Sequence, residues 1–186
     1  MLFKKKNIAE DELQNATKAL NHGSAEAFHL LYQNYAPKVY RYCVKMLGDE
    51  ILAEDAFQET FVRIYEKRDG FNGQNFSAWL FTIARNTCYN YLRQKKEHES
   101  YDETFHHPDK TPTHDIGLKD QIDKAMQMLP VPLREAVILR EYEECTYQEI
   151  ADILQIELSL AKIRVYRARI ILRKLLQPLV KEINES

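Results

Sequence analysis

The sequence predicts an all-α chain: two small helical domains joined by a flexible linker, the C-terminal one a helix-turn-helix. Three observations carry this. Apolar residues recur three and four positions apart through most of the chain, and no alternating strand pattern survives. Glycine (5) and proline (6) are scarce among 186 residues, whereas sandwiches and barrels need many tight turns. A polar stretch at 98–117 breaks the periodicity with Pro108, Pro112 and four of the chain's six histidines. The expected division is therefore a first domain over 1–97, an acidic linker over 98–117 and a second domain over 118–186.

Each element follows from its residues. Phe28, Leu31, Tyr32 and Tyr35 form one helical face. Pro37 suits the first turn of a second helix continued by Val39, Tyr42, Cys43 and Met46. Gly48-Asp49 reads as a helix stop followed by an N-cap. Ala53, Phe57, Phe61 and Ile64 face inward on a third helix, and Asp69 to Gly73 form a loop. A fourth helix is expected from about Ser77 to Lys96, with Leu80, Ile83, Ala84, Cys88, Tyr91 and Leu92 inward. After the linker, Leu118 to Leu129 is helical and Leu129-Pro130-Val131-Pro132 turns into a helix through Ala136, Val137 and Leu139. Thr146-Tyr147-Gln148-Glu149 is a capping box opening a short helix. Ser159 then caps a last helix running from about Leu160 to Leu176.

Composition narrows the function. The longest apolar runs, Ala78 to Phe81 and Ala136 to Leu139, span four residues. A spanning helix needs about 20 and a signal peptide about 7–15, so membrane insertion is not expected and the cytoplasm is the expected location. Cys43, Cys88 and Cys145 lack metal-site spacing and read as reduced core thiols. The linker histidines have no ligand spacing either, so no metal and no cofactor are expected.

Charge is informative locally rather than in sum. The net charge is −2, yet Ser159 to Lys174 carries Lys162, Arg164, Arg167, Arg169, Arg173 and Lys174 without one acid. Two short helices joined by a tight turn, the second one basic, describe a DNA-reading helix-turn-helix. Ala161, Val165, Ala168 and Leu172 form its packing face. Lys162, Ile163, Tyr166 and Arg167 project from the half that enters a major groove, and Arg164, Arg169 and Arg173 suit phosphates.

Motifs in the first domain lead to a family. Residues 53–96, AEDAFQETFVRIYEKRDGFNGQNFSAWLFTIARNTCYNYLRQKK, resemble the second conserved region of bacterial RNA polymerase sigma factors, most closely the extracytoplasmic-function group. Residues 129–154, LPVPLREAVILREYEECTYQEIADIL, with the basic helix after them, resemble the fourth region. The order D-A-x-Q-E-x-F, F-x-x-W-L-x-x-I-A-R-N, L-P-x-x-x-R-E-A and Y-x-E-I-A is far more specific than any one block.

The resemblance implies a transcription initiation factor that binds core RNA polymerase and directs it to −10 and −35 promoter elements. It implies docking through Asp55, Gln58, Glu59 and Val62. It implies a grip on melted −10 DNA through Phe71, Asn72, Gln74, Asn75 and Phe76 in the loop and Trp79, Arg85, Asn86, Tyr89 and Arg93 on the helix, with a base flipped into a loop pocket. Aromatic faces stack unpaired bases, amides read their edges and cations hold the backbone; at Trp79, packing competes with stacking. It implies −35 reading by Ser159, Lys162, Ile163, Arg164, Tyr166 and Arg167, and capture by an anti-sigma factor. The acidic linker would mimic nucleic acid inside the polymerase.

Two departures stand out. Many members have Gly-Thr-Val-Lys-Ser-Arg where this chain has Ser159-Leu160-Ala161-Lys162-Ile163-Arg164. Ile163 would then meet a thymine methyl in place of a hydroxyl's hydrogen bond. Asn90 stands where many members have Asp. An enzyme reading is weak: Glu54, Asp55 and Glu59 share a helix with no histidine, and no phosphate-cradling glycine loop exists. The alternative is a stand-alone helix-turn-helix regulator, which leaves the Asp55/Gln58/Glu59 stripe without a purpose.

Overall fold

The computed structural model describes residues 10–101 and 117–185. Its eight α-helices are α1 (Glu10–Leu20), α2 (Ala25–Leu47), α3 (Glu50–Glu66), α4 (Phe76–Tyr101), α5 (Leu118–Gln127), α6 (Val131–Glu141), α7 (Tyr147–Leu154) and α8 (Leu158–Glu185). No strand occurs among the described residues. The expected linker falls mostly at 102–116, outside the described residues. Its first residues, 98–101, instead continue α4. No glycine or proline interrupts them; the first breaker is Pro108.

The caps read from sequence form as expected. Gly48 ends α2 in the left-handed region (φ 65°), and its N–H donates to the Val44 carbonyl. Asp49 caps α3 by accepting from the N–H groups of Ile51 (3.0 Å) and Leu52 (3.1 Å). Thr146 and Glu149 form the reciprocal capping box of α7.

Three expectations are corrected. Pro37 does not begin a helix; it lies inside the continuous α2. Proline forfeits one hydrogen bond, but Ala27, Leu31 and Ala36 before it and Val39, Tyr42, Cys43 and Met46 after it are buried along the same helix. Burial on both sides outweighs the local break. Ser159 is not the N-cap of the last helix, because α8 begins one residue earlier at Leu158 and the Ala161 N–H already reaches the Glu157 carbonyl (3.0 Å). That helix also continues well past Leu176, to Glu185.

In the first half, α2 packs on α1, α3 and α4. An aromatic cluster fills the α2–α3 seam, with Tyr32 and Phe61 4.7 Å apart and Phe57 and Phe61 5.3 Å apart. In the second half, α8 packs on α5, α6 and α7 through Ala161, Val165 and Ala168, all fully buried. The two halves touch: α2 packs on α5 and α6, and α4 on α7. All three cysteines are free and buried, Cys43 and Cys88 with sulfurs 3.7 Å apart.

Candidate functional site

Three surface patches carry the residues singled out from sequence. The first lies on α3. Asp55 and Gln58 are exposed, and Glu59 is held against Arg63 and the Tyr91 hydroxyl. Val62 stands 55% exposed, unusual for valine on a packed helix. Gln58 and Val62, with Phe28, Tyr32, Phe61 and Tyr65, line an apolar groove of about 640 Å3. The structure thus brings Gln58 and Val62 into the groove and turns Glu59 toward α4. Tyr65, 43% exposed beside Val62, was missed from sequence. The signal was available: an aromatic three positions after Val62 extends the same exposed stripe.

The second patch is the loop between α3 and α4. Asn21 Nδ2 anchors it by donating to the Phe71 carbonyl (3.0 Å). Phe71 and Phe76 are buried, 5.5 Å apart, and Trp79 packs on both. These rings build the loop from beneath in this conformation, and its exposed tip is polar. Asn72 Oδ1 accepts from the Gln74 N–H (3.0 Å), and Asn75, at φ 31°, caps the Ala78 N–H (3.0 Å). Behind the tip is a cavity of about 340 Å3 lined by Gln14, Thr17, Lys18, Tyr35, Asn75 and Phe76, among others. The α1 contribution is not legible in the sequence, because most residues of Glu10–Leu20 are polar.

Four more residues follow on α4. Asn86 and Arg93 are exposed. Arg85 stacks on Tyr89, 4.6 Å from its ring centre. Arg85 Nε also donates to Glu135 Oε2 (2.9 Å), a carboxylate with no solvent exposure. Burial, then the charge and hydrogen bonding of Glu135, push the Tyr89 phenol up to about 12 against the opposing charge of Arg85.

The third patch is the start of α8. Ser159, Lys162, Ile163, Tyr166 and Arg167 are all exposed, Tyr166 by 65% and Ile163 by 42%. They lie opposite the buried Ala161–Val165–Ala168 stripe. Arg164 differs: its Nη1 donates to Glu135 Oε1 (3.1 Å). Arg169, assigned to phosphates from sequence, is paired with Glu141 on α6 (2.5 Å). The described residues hold no cluster of histidine, cysteine and carboxylate side chains suited to a metal, and none of their helices is long and apolar enough to cross a membrane.

Comparisons with known proteins agree with this layout. The family model for sigma-70 region 2 matches residues 31–98, and that for sigma-70 region 4 matches 119–172. The chain is 31% identical to the RNA polymerase sigma-H factor of Pseudomonas aeruginosa, over 94% of this chain and 99% of that one. It is 33% identical to the ECF RNA polymerase sigma factor SigM of Bacillus subtilis, over 75% of this chain and 88% of that one. Among solved structures, the sigma factor RpoE in complex with the anti-sigma factor NepR from Bartonella quintana superposes with a TM-score of 0.70 at 29% identity, covering 82% of this chain and 98% of that one. The chain belongs to the sigma-70 family, in its extracytoplasmic-function group. Its function is that of a promoter-directing transcription initiation factor.

Proposed function

We propose a division of this work among the three patches. The groove beside Gln58 and Val62, flanked by Asp55 and Glu59, docks a helical element of core polymerase. Apolar area supplies affinity, and the acidic rim supplies register and on-rate. The loop tip (Asn72, Gln74, Asn75) and Asn86, Arg85, Tyr89 and Arg93 hold the separated −10 strand, with a base entering the cavity against Thr17 and Phe76. Phe71 and Trp79 shape that pocket from below. Lys162, Ile163, Tyr166 and Arg167 read the −35 duplex in the major groove, with Ile163 against a thymine methyl. Residues 1–97 and 118–186 act as the two DNA-engaging domains. The work is binding and positioning without catalysis, and it takes place in the cytoplasm, where polymerase and promoter meet. By analogy with the RpoE complex, an anti-sigma factor captures this chain as well.

The observation that carries this reading is the sorting of α8. Basic and aromatic side chains stand in solvent at its start while its opposite face is fully buried. The stand-alone regulator would have no use for an exposed apolar groove on α3. Run-off transcription from a promoter library, with core polymerase alone and with this protein added, tests the proposal. Protein-dependent transcripts sharing paired −10 and −35 sequences are expected. Their absence, together with no co-elution with core, would reject it.

A further inference from the structure

Helix α1 has two working faces. Ala16 and Leu20, one turn apart, are buried where α1 packs on α2. Gln14, Thr17 and Lys18 fall at i, i+3 and i+4 on a neighbouring face. That face is polar, and all three of its residues line the cavity of about 340 Å3 behind the loop between α3 and α4. Phe71 and Phe76 line it from the loop side. Asn21, directly after α1, sets the spacing of the two walls, because its Nδ2 donates to the Phe71 carbonyl (3.0 Å). A polar helix thus faces an aromatic wall across a space within the small-ligand range of about 300–1,000 Å3.

The hydrogen-bonding groups left over in these walls are of known kind. The Thr17 hydroxyl donates to the Gln14 carbonyl (2.7 Å), so it can only accept from a ligand. Asn75 Oδ1 accepts from the Ala78 N–H (3.0 Å), which leaves Nδ2 to donate. Lys18 is exposed and carries donors only. Two donating groups therefore stand against one accepting group. A flipped base is read along its Watson–Crick edge. Thymine and cytosine each present two acceptors and one donor on that edge, the complement of this set. Guanine presents one acceptor and two donors, and would leave donors facing donors.

We propose that α1 selects the flipped base: Lys18 and the Asn75 amide donate to the acceptors of a pyrimidine, and Thr17 accepts from its one donor. The inference rests on the reading that this cavity takes a base of the −10 strand. It adds to the loop a second wall, from a helix far from it in sequence, and makes Lys18 a specificity-determining residue.

Binding of single-stranded −10 oligonucleotides to core polymerase carrying the full chain, followed by fluorescence anisotropy, tests this. Thr17→Phe fills the cavity, and the promoter position whose base preference it erases is the one to vary. Wild type should bind thymine or cytosine there about tenfold more tightly than guanine, the discrimination of one good paired contact. Lys18→Glu leaves one donor against two acceptors and should move the preference toward guanine. Lys18→Met keeps the stem without the donor and should narrow the preference without reversing it. Lys18 is exposed, so both variants should keep the wild-type helical signal. If Lys18→Glu weakens all four bases alike and flattens the salt dependence, Lys18 is a phosphate contact and the inference falls. A wild-type preference for guanine would overturn it too. A preference that Thr17→Phe erases but both Lys18 variants keep would overturn selection by α1 and leave the base pocket standing. No change of preference at any position in Thr17→Phe would strike the pocket reading itself, and this inference with it.

Discussion

Arg85 Nε lies 2.9 Å from Glu135 Oε2, joining α4 of the first half to a fully buried carboxylate of the second. The other oxygen of Glu135 takes Arg164 at 3.1 Å. Two half-buried guanidinium groups therefore depend on one acid. A buried charge is tolerated only when paired and hydrogen-bonded, and removing its partner costs more than the pair contributes.

Glu135→Gln keeps the shape and removes the charge. It should cost about 3 kcal/mol of stability, the range found when one partner of a buried pair is lost. The midpoint of urea unfolding followed by circular dichroism checks this. Arg85→Ala leaves the Arg164 pair in place and should cost distinctly less. Equal losses would mean that the bridge between the halves, rather than the charge of Glu135, dominates.

Gly48 offers a second probe of the contact. It needs the left-handed region at φ 65°, and a Cβ there would sit 2.5 Å from Gln127 Cδ. Gly48→Ala should cost about 1–2 kcal/mol for the backbone alone, and more because Gln127 must abandon the Lys45 carbonyl. Adding Gln127→Ala removes the clash but not the backbone strain. A smaller loss in the double variant than in the single, read from thermal unfolding midpoints, is the expected result.

These relationships show which parts of the molecule were legible in the sequence. Caps are local chemistry, so Gly48-Asp49 and Thr146-Glu149 could be read from adjacent residues. The buried stripe Ala161–Val165–Ala168 was legible because helical spacing sorts faces without knowledge of the partner. Helix α1 escaped because Glu10–Leu20 is mostly polar, its buried side being little more than Ala16 and Leu20. The continuity of α2 through Pro37 escaped because tertiary burial overrode a local breaker. The pairing of Arg41 with Glu143 escaped for a different reason: no periodicity rule connects residues so far apart in sequence.

Alkaline pH should destabilise the fold, with a sign fixed by two partly buried phenols and one buried thiol. The Tyr89 and Tyr91 phenols are pushed from 10.0 up to about 12, and the Cys145 thiol from 9.0 to about 12, burial being the first cause in each. Hydrogen bonding to Glu59 adds to the effect at Tyr91, and the charge of Glu149 adds to it at Cys145. The folded state holds these protons more tightly than the unfolded state. Their contribution is fully present below pH 9.0 and is lost as pH rises through about 12. Tyr89→Phe should flatten part of that decline, seen as a shallower dependence of the unfolding midpoint on pH over this window. An unchanged slope would show that the Tyr89 phenol is not held up by its burial and its contact with Glu135.

The exposed valine on α3 sets the last test. Val62 and Tyr65 leave apolar surface in water beside a groove of about 640 Å3, at a cost the isolated fold has no reason to bear. Covering a valine is worth about 1.5 kcal/mol. Val62→Glu both forfeits that and places a charge in the covered interface. Core-polymerase affinity should fall by at least about tenfold, with the helical signal and unfolding midpoint near wild type because the side chain is already solvated. Thr17→Phe, which fills the separate cavity behind the loop, should leave core affinity intact and weaken only the −10 preference in the promoter library. If both variants lost core binding alike, the groove and the cavity could not be serving different partners.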